Sequence, residues 1–346
     1  MKTGHAPAWA CALAVASLLL WVAGACVGSE GLENVFRNGL AALAVPETAD
    51  LAVQVVWDIR MPRTLGAWLA GALLGLAGAI AQGLFRNPLA DPYLLGSSSG
   101  ASLGVALALA VVGGGTQAVS GGLTDWALRI GLTGAAFLGS VGAVFLTLGL
   151  ARGVGHTLRL LLAGVVVGVV LGALTSLILL LSPDSLLPMQ SFMLGSTTFV
   201  GWASCAVMAA VWSVCAVLAW AFARVLDGLG LGEATAISLG INLAFARTVL
   251  VGVLALATGA AVAQTGLIAF VGLAAPHLVR SAGALPHRYL IPLSSAMGAV
   301  LLCTADLLAR GLLAPQELPV GLLTSLLGGV YLIWLMRAYG GTGGKN

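Results

Sequence analysis

Charged side chains fall in clusters along this chain. Between them lie nine charge-free stretches: 3–29, 64–85, 92–124, 130–151, 160–183, 185–223, 248–279, 289–305 and 318–336. A helix needs about 20 mostly apolar residues to cross the hydrocarbon of a bilayer. Each stretch therefore supplies at least one span, with slight tilt or flanking residues completing 289–305. The 32 residues from Thr248 to Val279 are long enough for two, and "GAAVAQTG" (259–266) puts small and polar residues at their midpoint. Basic residues decide the count. Ten spans with the N-terminus inside place ten on the cytoplasmic side: Lys2, Arg86, Arg152, Arg159, Arg224, Arg247, Arg280, Arg288, Arg337 and Lys345. Five fall outside: Arg37, Arg60, Arg63, Arg129 and Arg310. Nine spans would leave seven inside and eight outside. The pattern predicts an all-α polytopic membrane protein of about ten transmembrane helices, both termini cytoplasmic, forming one domain over 1–346.

Composition agrees. Only 8% of residues are charged and the mean hydropathy is +1.05, whereas soluble domains carry about 25% charge. The 48 glycines and the 6% aromatic share suit helices packed closely on one another. Lys2 and "AGAC" (23–26) faintly resemble a lipoprotein signal. The apolar run, about 23 residues, exceeds a signal core of about 7–15, so it is expected to remain as the first span. The cysteines (Cys11, Cys26, Cys205, Cys215, Cys303) all sit in apolar stretches without CxxC spacing. They read as packing residues, and neither a metal site nor a cofactor is expected.

The sharpest interruption is "RNPLADPYLLGSSSGA" (86–101). Pro88 and Pro92 stop a helix and hold an extended turn, and Ser97 to Ser99 open the next helix with a small-residue face. A capped turn followed by a packing stripe explains the prolines, serines and glycines. It does not explain Arg86, Asn87 and Asp91 together at a membrane edge. Two segments, 62–92 and 246–276, share an Arg-Thr start, a central Ala-Gln and a Leu-Ala-x-Pro ending. They run in opposite directions in the ten-span topology, as the halves of an inverted repeat do in transporters. No nucleotide-binding loop is present, since "GGTGGKN" (340–346) has the wrong glycine spacing. Ion coupling needs carboxylates or histidines near mid-membrane; Asp306 and His277 are the only plausible ones, and both lie close to predicted helix ends. Asp306 and Arg310 are also spaced for a local helix-end pair. An ion-coupled secondary transporter using Asp306 and His277 is therefore the alternative reading; a conduit driven by a separate ATPase is the first. The polar cytoplasmic segment 226–243, around "DGLGLGEATAISLG" (227–240), is either a partner-docking element or a solvated helical loop.

Several pieces resemble the FecCD-like permease family, the membrane subunits of type II ABC importers for iron–siderophore, haem and vitamin B12. They are "RMPR" (60–63), 71–101, "RLLLAGVVVG" (159–168), "LGEATAISLG" (231–240), "FVGLAAPHLVR" (270–280), 287–310 and "PQELPVGLLTSLLGG" (315–329), in the family's order over nearly the whole chain. The resemblance implies a permease that is not itself an enzyme. It implies a homodimer in the bacterial inner membrane, with two ABC ATPase subunits that bind the ATP and a periplasmic substrate-binding protein. The substrate would be a metal chelate, and nucleic acid plays no part. It carries roles to particular residues. Arg60, Arg63 and Arg310 become exposed guanidiniums that receive glutamates of the binding protein. Asn87 and Leu89 become the cytoplasmic gate, with Thr157 a second layer. Gly232, Glu233, Ala236, Leu239 and Gly240 belong to the ATPase-coupling element. Phe192, Gly195 and Ser196 lie in the periplasmic gate region, where "SFMLGSTTFVGW" (191–202) departs from the family's usual Trp and Gly-Ser-Leu. Which chelate is carried is not written in these motifs.

Overall fold

The computed structural model describes residues 6–26, 54–112, 122–151, 157–238, 240–281, 283 and 285–340. Among the described residues there are thirteen α-helices and no β-strand. In order they are α1 (Ala6–Cys26), α2 (Met61–Phe85), α3 (Ser97–Val112), α4 (Gly122–Leu150), α5 (Thr157–Leu181), α6 (Leu186–Leu194) and α7 (Trp202–Ala221). There follow α8 (Ala223–Gly230), α9 (Glu233–Ser238), α10 (Leu243–Thr265), α11 (Val271–Ser281), α12 (His287–Gly311) and α13 (Val320–Gly340). Seven of these, α1, α2 with the π turn Val56–Arg60 before it, α4, α5, α7, α10 and α12, are long and apolar enough to cross a membrane. Two more, α3 and α13, carry shorter apolar segments.

Stretch 248–279 does hold two helices, but its break lies later than its small residues predict. α10 runs through Gly259 to Thr265 and ends at Gly266, where φ is +69°. Small residues continue a helix where a neighbour packs on them, and Gly259 lies close to Phe137 and Ser140 of α4. Only the left-handed backbone at Gly266, which glycine adopts without Cβ strain, ends it. With 11 residues, α11 rises about 16 Å, roughly half a bilayer core.

The centre of the fold is α2, buried at nearly every position from Pro62 to Phe85. α7, α10, α11 and α12 pack around it. Its sequence is rich in Gly and Ala, so helix backbones meet directly. A Cβ on Gly71 would collide with the Gly298 carbonyl, and one on Gly75 with the Ser294 carbonyl, both on α12. Lipid tails are as apolar as the helices, so such close packing, rather than burial from water, holds them together. A chain of edge-on indoles, Trp21 to Trp68 at 6.0 Å and Trp68 to Trp212 at 5.9 Å, joins α1, α2 and α7. The Trp212 indole N–H donates to Ser295 Oγ at 2.9 Å, tying α7 to α12.

The turn after α2 is more than a surface loop. Pro92 packs against Gly272, which also faces the Leu74 carbonyl. Leu74 lies eleven residues before Phe85, about 16 Å along α2. The 86–96 segment therefore folds back into the bundle, and α3 starts at that depth with only 16 residues. Tyr93 fixes the return by donating its hydroxyl to the Ile268 carbonyl at 3.1 Å, in the break between α10 and α11. Non-helical backbone at membrane depth is tolerated where protein covers it and supplies its partners.

Gly75→Leu should force α2 and α12 apart and cost at least about 3 kcal/mol, the upper range for an overpacked core. Gly142, with nothing within 4 Å of a built Cβ, should accept alanine with little change. Thermal unfolding of the two purified variants in one detergent tests both expectations.

Candidate functional site

The N-terminal end of α2 enters a closed set of charges. Arg63 donates Nε to Asp306 Oδ1 at 3.2 Å and Nη1 to both oxygens of Glu317 at 2.9 Å. Arg310 donates to the other Asp306 oxygen, to Thr64 Oγ1 at 3.3 Å and to the Gly24 carbonyl of α1 at 3.5 Å. The Thr197 hydroxyl donates to Asp306 Oδ1, and that of Thr198 to Glu317 Oε2 at 3.2 Å. Two guanidiniums and two carboxylates cancel. Burial opposes the Glu317 charge, but Arg63, Thr198 and Arg310 outweigh it and hold that carboxyl below its ordinary value.

This arrangement corrects the expectation of three exposed docking arginines. Arg63 is 6% and Arg310 2% exposed, because their charges are spent on Asp306 and Glu317 beneath packed helices. Arg60 alone is half-exposed, donating to the carbonyls of Ala25 and Cys26 at 3.3 and 3.4 Å. The i, i+4 pair of Asp306 with Arg310 is present, but as part of this larger set. Thr197, Thr198 and Glu317 were not anticipated. The signal for Glu317 was its place as the acid of "PQELPVG", between the apolar runs of α12 and α13.

The segment after α6 lies against the same set. Phe192 accepts the Leu267 N–H at 3.0 Å, the Ser196 N–H donates to Thr265 at 2.8 Å, and the Gly321 N–H donates to Gly195 at 3.4 Å. Gly195 has φ +65°, and a side chain there would strike the Leu267 carbonyl. Phe192, Gly195 and Ser196 thus sit where α6, the α10–α11 break and α13 meet.

At the other end of α2 the chain reverses through Arg86, left-handed at φ 50°. Asn87 Oδ1 accepts the Leu89 N–H at 2.9 Å, and its carbonyl accepts the Ala90 N–H at 3.0 Å. Asp91 caps the 3-10 turn Pro92–Leu95 by accepting the Tyr93 N–H at 2.7 Å. This compact turn holds Asn87, Pro88 and Leu89 exposed. Thr157 begins α5, but its side chain lies outside the described residues. Nearby, Glu233 Oε1 accepts from Arg247 at 2.6 Å and from Arg86 at 3.4 Å. One carboxylate oxygen therefore joins α9 to α10 and to the residue preceding Asn87. Below it, Gln82 donates to the Leu273 carbonyl at 3.0 Å and accepts from Arg280, fixing α2 to α11.

The segment expected to couple to an ATPase packs differently from that expectation. Ala236 is fully buried against Gly228, with its carbonyl accepting from Ile241, so it presents nothing to a partner. Leu231, 70% exposed, and Ile237, 62% exposed, carry the outward apolar surface instead. Gly232 and Gly240, at φ +111° and +77°, make the tight turns flanking α9; Leu239 lies outside the described residues. His277 is bonded to Tyr331 at 2.6 Å, while Asp306 is committed to Arg63, Arg310 and Thr197. Among the described residues no hydrogen bond or ion pair links His277 to Asp306, and no three His, Cys, Asp or Glu side chains form a metal-binding group.

Asp306→Asn should leave two guanidiniums short of charge in a buried site. It is expected to cost about 3–5 kcal/mol, seen as a lower melting temperature in detergent. Arg60→Gln, outside the set, should melt close to the parent.

The profile of the FecCD transport family matches residues 12–338. The chain is 42% identical over 284 residues to the hemin transport system permease protein HmuU of Yersinia pestis, covering 81% of this chain and 83% of that one. It is 40% identical over 288 residues to the vitamin B12 import system permease protein BtuC of Escherichia coli O6:H1, covering 82% and 84%. Among solved structures, an inward-facing conformation of a metal-chelate type ABC transporter superposes with a TM-score of 0.81 at 27% identity, over 94% of this chain and 98% of that one. PsaBC of Streptococcus pneumoniae, at 17% identity and TM-score 0.55 over 80% and 90%, shares the fold. Neither the relatives nor the geometry supports an ion-coupled carrier built on Asp306 and His277. This chain belongs to the FecCD transport family, the membrane permeases of ABC transporters.

Proposed function

We propose that the chain is the membrane-spanning subunit of an ABC importer that brings a bulky metal chelate, haem, a ferric siderophore or cobalamin, across the bacterial inner membrane. It works as a homodimer of inverted-repeat subunits, each crossing about ten times with both termini in the cytoplasm. Two ATPase subunits dock below and a chelate-binding protein docks above. The observation that carries this reading is α2, one buried helix whose ends hold an ionic set at Arg63 and an exposed turn at Asn87 and Leu89. Events at either face reach the other through that single packed element.

In this reading Arg60 meets the binding protein first, and its partly exposed charge raises the association rate more than the affinity. The ATPase grips the α8–α9 turn through Leu231 and α9 through Ile237. Movement of α9 passes through Glu233 to Arg86 and so to the Asn87–Leu89 turn, which faces its copy across the two-fold axis and closes the inner mouth. The segment 192–198 closes the outer mouth. The chelate passes between the two copies, along apolar faces such as that of α5, where Leu162, Val166 and Val169 are exposed. No side chain performs covalent chemistry. Relatives named for haem and for vitamin B12 match about equally well, so the reading covers chelates as a class.

A strain lacking the gene, offered labelled haem, ferric siderophore and cobalamin separately, should lose uptake of one of them, and ATP depletion of the parent should reproduce the loss. Normal uptake of all three without a redundant importer, or uptake that survives loss of the ATPase, overturns the reading. Ile237→Asp should cut chelate-stimulated ATP hydrolysis by the reconstituted complex at least about tenfold, as for loss of one buried apolar anchor. Its melting temperature should stay unchanged, because the side chain is 62% exposed in the isolated subunit.

A further inference from the structure

The ionic set at the outer end of α2 has two carboxylates with different surroundings. Asp306 is 1% exposed and held by Arg63, Arg310 and Thr197. The Glu317 side chain is 25% exposed, in the loop between α12 and α13, and takes both its bonds from Arg63 through one guanidinium nitrogen. Asp306 is a fixed member of the set. Glu317 is the member that solvent, or a protein arriving from outside, can replace. A carboxylate approaching Arg63 meets Glu317 already in its place, since Arg63 itself is only 6% exposed.

Glu317 also holds the outer loop. Its Oε2 accepts from Thr198, whose N–H and hydroxyl are in turn held by Ser196 Oγ, at 3.2 and 2.9 Å. Thr197 is anchored on Asp306, so beside the backbone bonds of Ser196 to Thr265 and of Gly321 to Gly195 the loop has one buried and one exposed side-chain tether. Both depend on Arg63.

We propose that Glu317 is an internal stand-in for a carboxylate of the docking protein. It occupies Arg63 while the permease is undocked and latches the 195–198 loop through Thr198. An incoming carboxylate that takes Arg63 displaces Glu317, and Thr198 is released with it. Docking and loosening of the outer loop are then one exchange of ion pairs, and the buried Arg63 becomes a docking residue only through that exchange. This deepens the docking reading above and rests on it.

Two measurements separate the latch from that reading, both on the full chain in nanodiscs. The first is hydrogen exchange, which needs no partner. Glu317→Gln and Thr198→Val should each speed exchange at residues 197–201 by about tenfold, as for loss of one charge-assisted tether. Glu317→Asp should fall between them and the parent. Thr198→Val keeps the Arg63–Glu317 pair, so an effect there cannot come from general weakening of the ionic set. Unchanged exchange in both variants overturns the latch. The second is the affinity of the purified chelate-binding protein that stimulates ATP hydrolysis with this permease. Glu317→Gln should tighten binding by about tenfold by removing an internal competitor, and Thr198→Val should leave it within about twofold. If Glu317→Gln gives no tightening while Arg60→Glu weakens docking, the docking reading stands and the stand-in fails. If Arg60→Glu leaves docking unchanged, that reading fails, and the exchange result alone decides whether Glu317 latches the loop.

Discussion

Nearly everything in this fold leans on α2 being buried from end to end. A helix at the centre of a membrane bundle gains little from being apolar, because its alternative surroundings are equally apolar. It is held by how closely neighbours approach, and that requires glycine where α2 meets α12. Gly71, Gly75 and Gly298 set a backbone-to-backbone seam that cannot slide without a clash. The helix therefore behaves as a stiff rod. Its polar residues are confined to its ends, where Arg63 faces Asp306 and Glu317 at one and Gln82 faces Arg280 and Leu273 at the other.

The two ends are built to different rules. At the Arg63 end three of the four charges, Arg63, Asp306 and Arg310, are buried and the set balances, so it is strong only while complete. At the Arg86 end Arg86 and Glu233 are 41% and 34% exposed and 3.4 Å apart. Such a pair contributes about 0–1 kcal/mol. Its importance lies in its position, between α9 and the turn that carries Asn87. A weak, solvated link of this kind can break and reform without unpacking either element. The tighter bond of Glu233 to Arg247, at 2.6 Å with Arg247 buried, keeps α9 attached to the bundle meanwhile.

Much of this was legible in the sequence. Charge-free stretches located the long helices because a bilayer imposes one length on them, and prolines located the turn after α2. What was not legible depended on distance along the chain. Asp306 and Arg310 could be paired on paper because a helix repeats every four residues, but Arg63 lies 243 residues from Asp306. Without that partner, topology alone made Arg63 and Arg310 look exposed. The same limit applies to α9: a six-residue helix between Gly232 and Gly240 does not reveal which face packs, and only the fold shows Ala236 inside and Ile237 outside. The break after α10 was misplaced because small residues signal either a weak helix or a close neighbour, and Phe137 of α4 made it the second.

The similar segments 62–92 and 246–276 gain a physical meaning once placed. In the first, α2 runs unbroken and the return through Pro92 is the irregular part; in the second, the break at Gly266–Phe270 comes first and α11 completes the passage. These two irregular pieces touch, through Tyr93 on the Ile268 carbonyl and Pro92 on Gly272. Each supplies what the other lacks: the broken backbone offers a free carbonyl, and the returning turn offers a hydroxyl and a ring to cover it. Any motion that shifts the Asn87 turn must carry this contact along or break it within the bundle, where an unpaired carbonyl is costly. The contact therefore ties the turn, α2 and the α10–α11 break into one body, and leaves the weaker connections at the partly exposed Glu317 and Arg86 pairs.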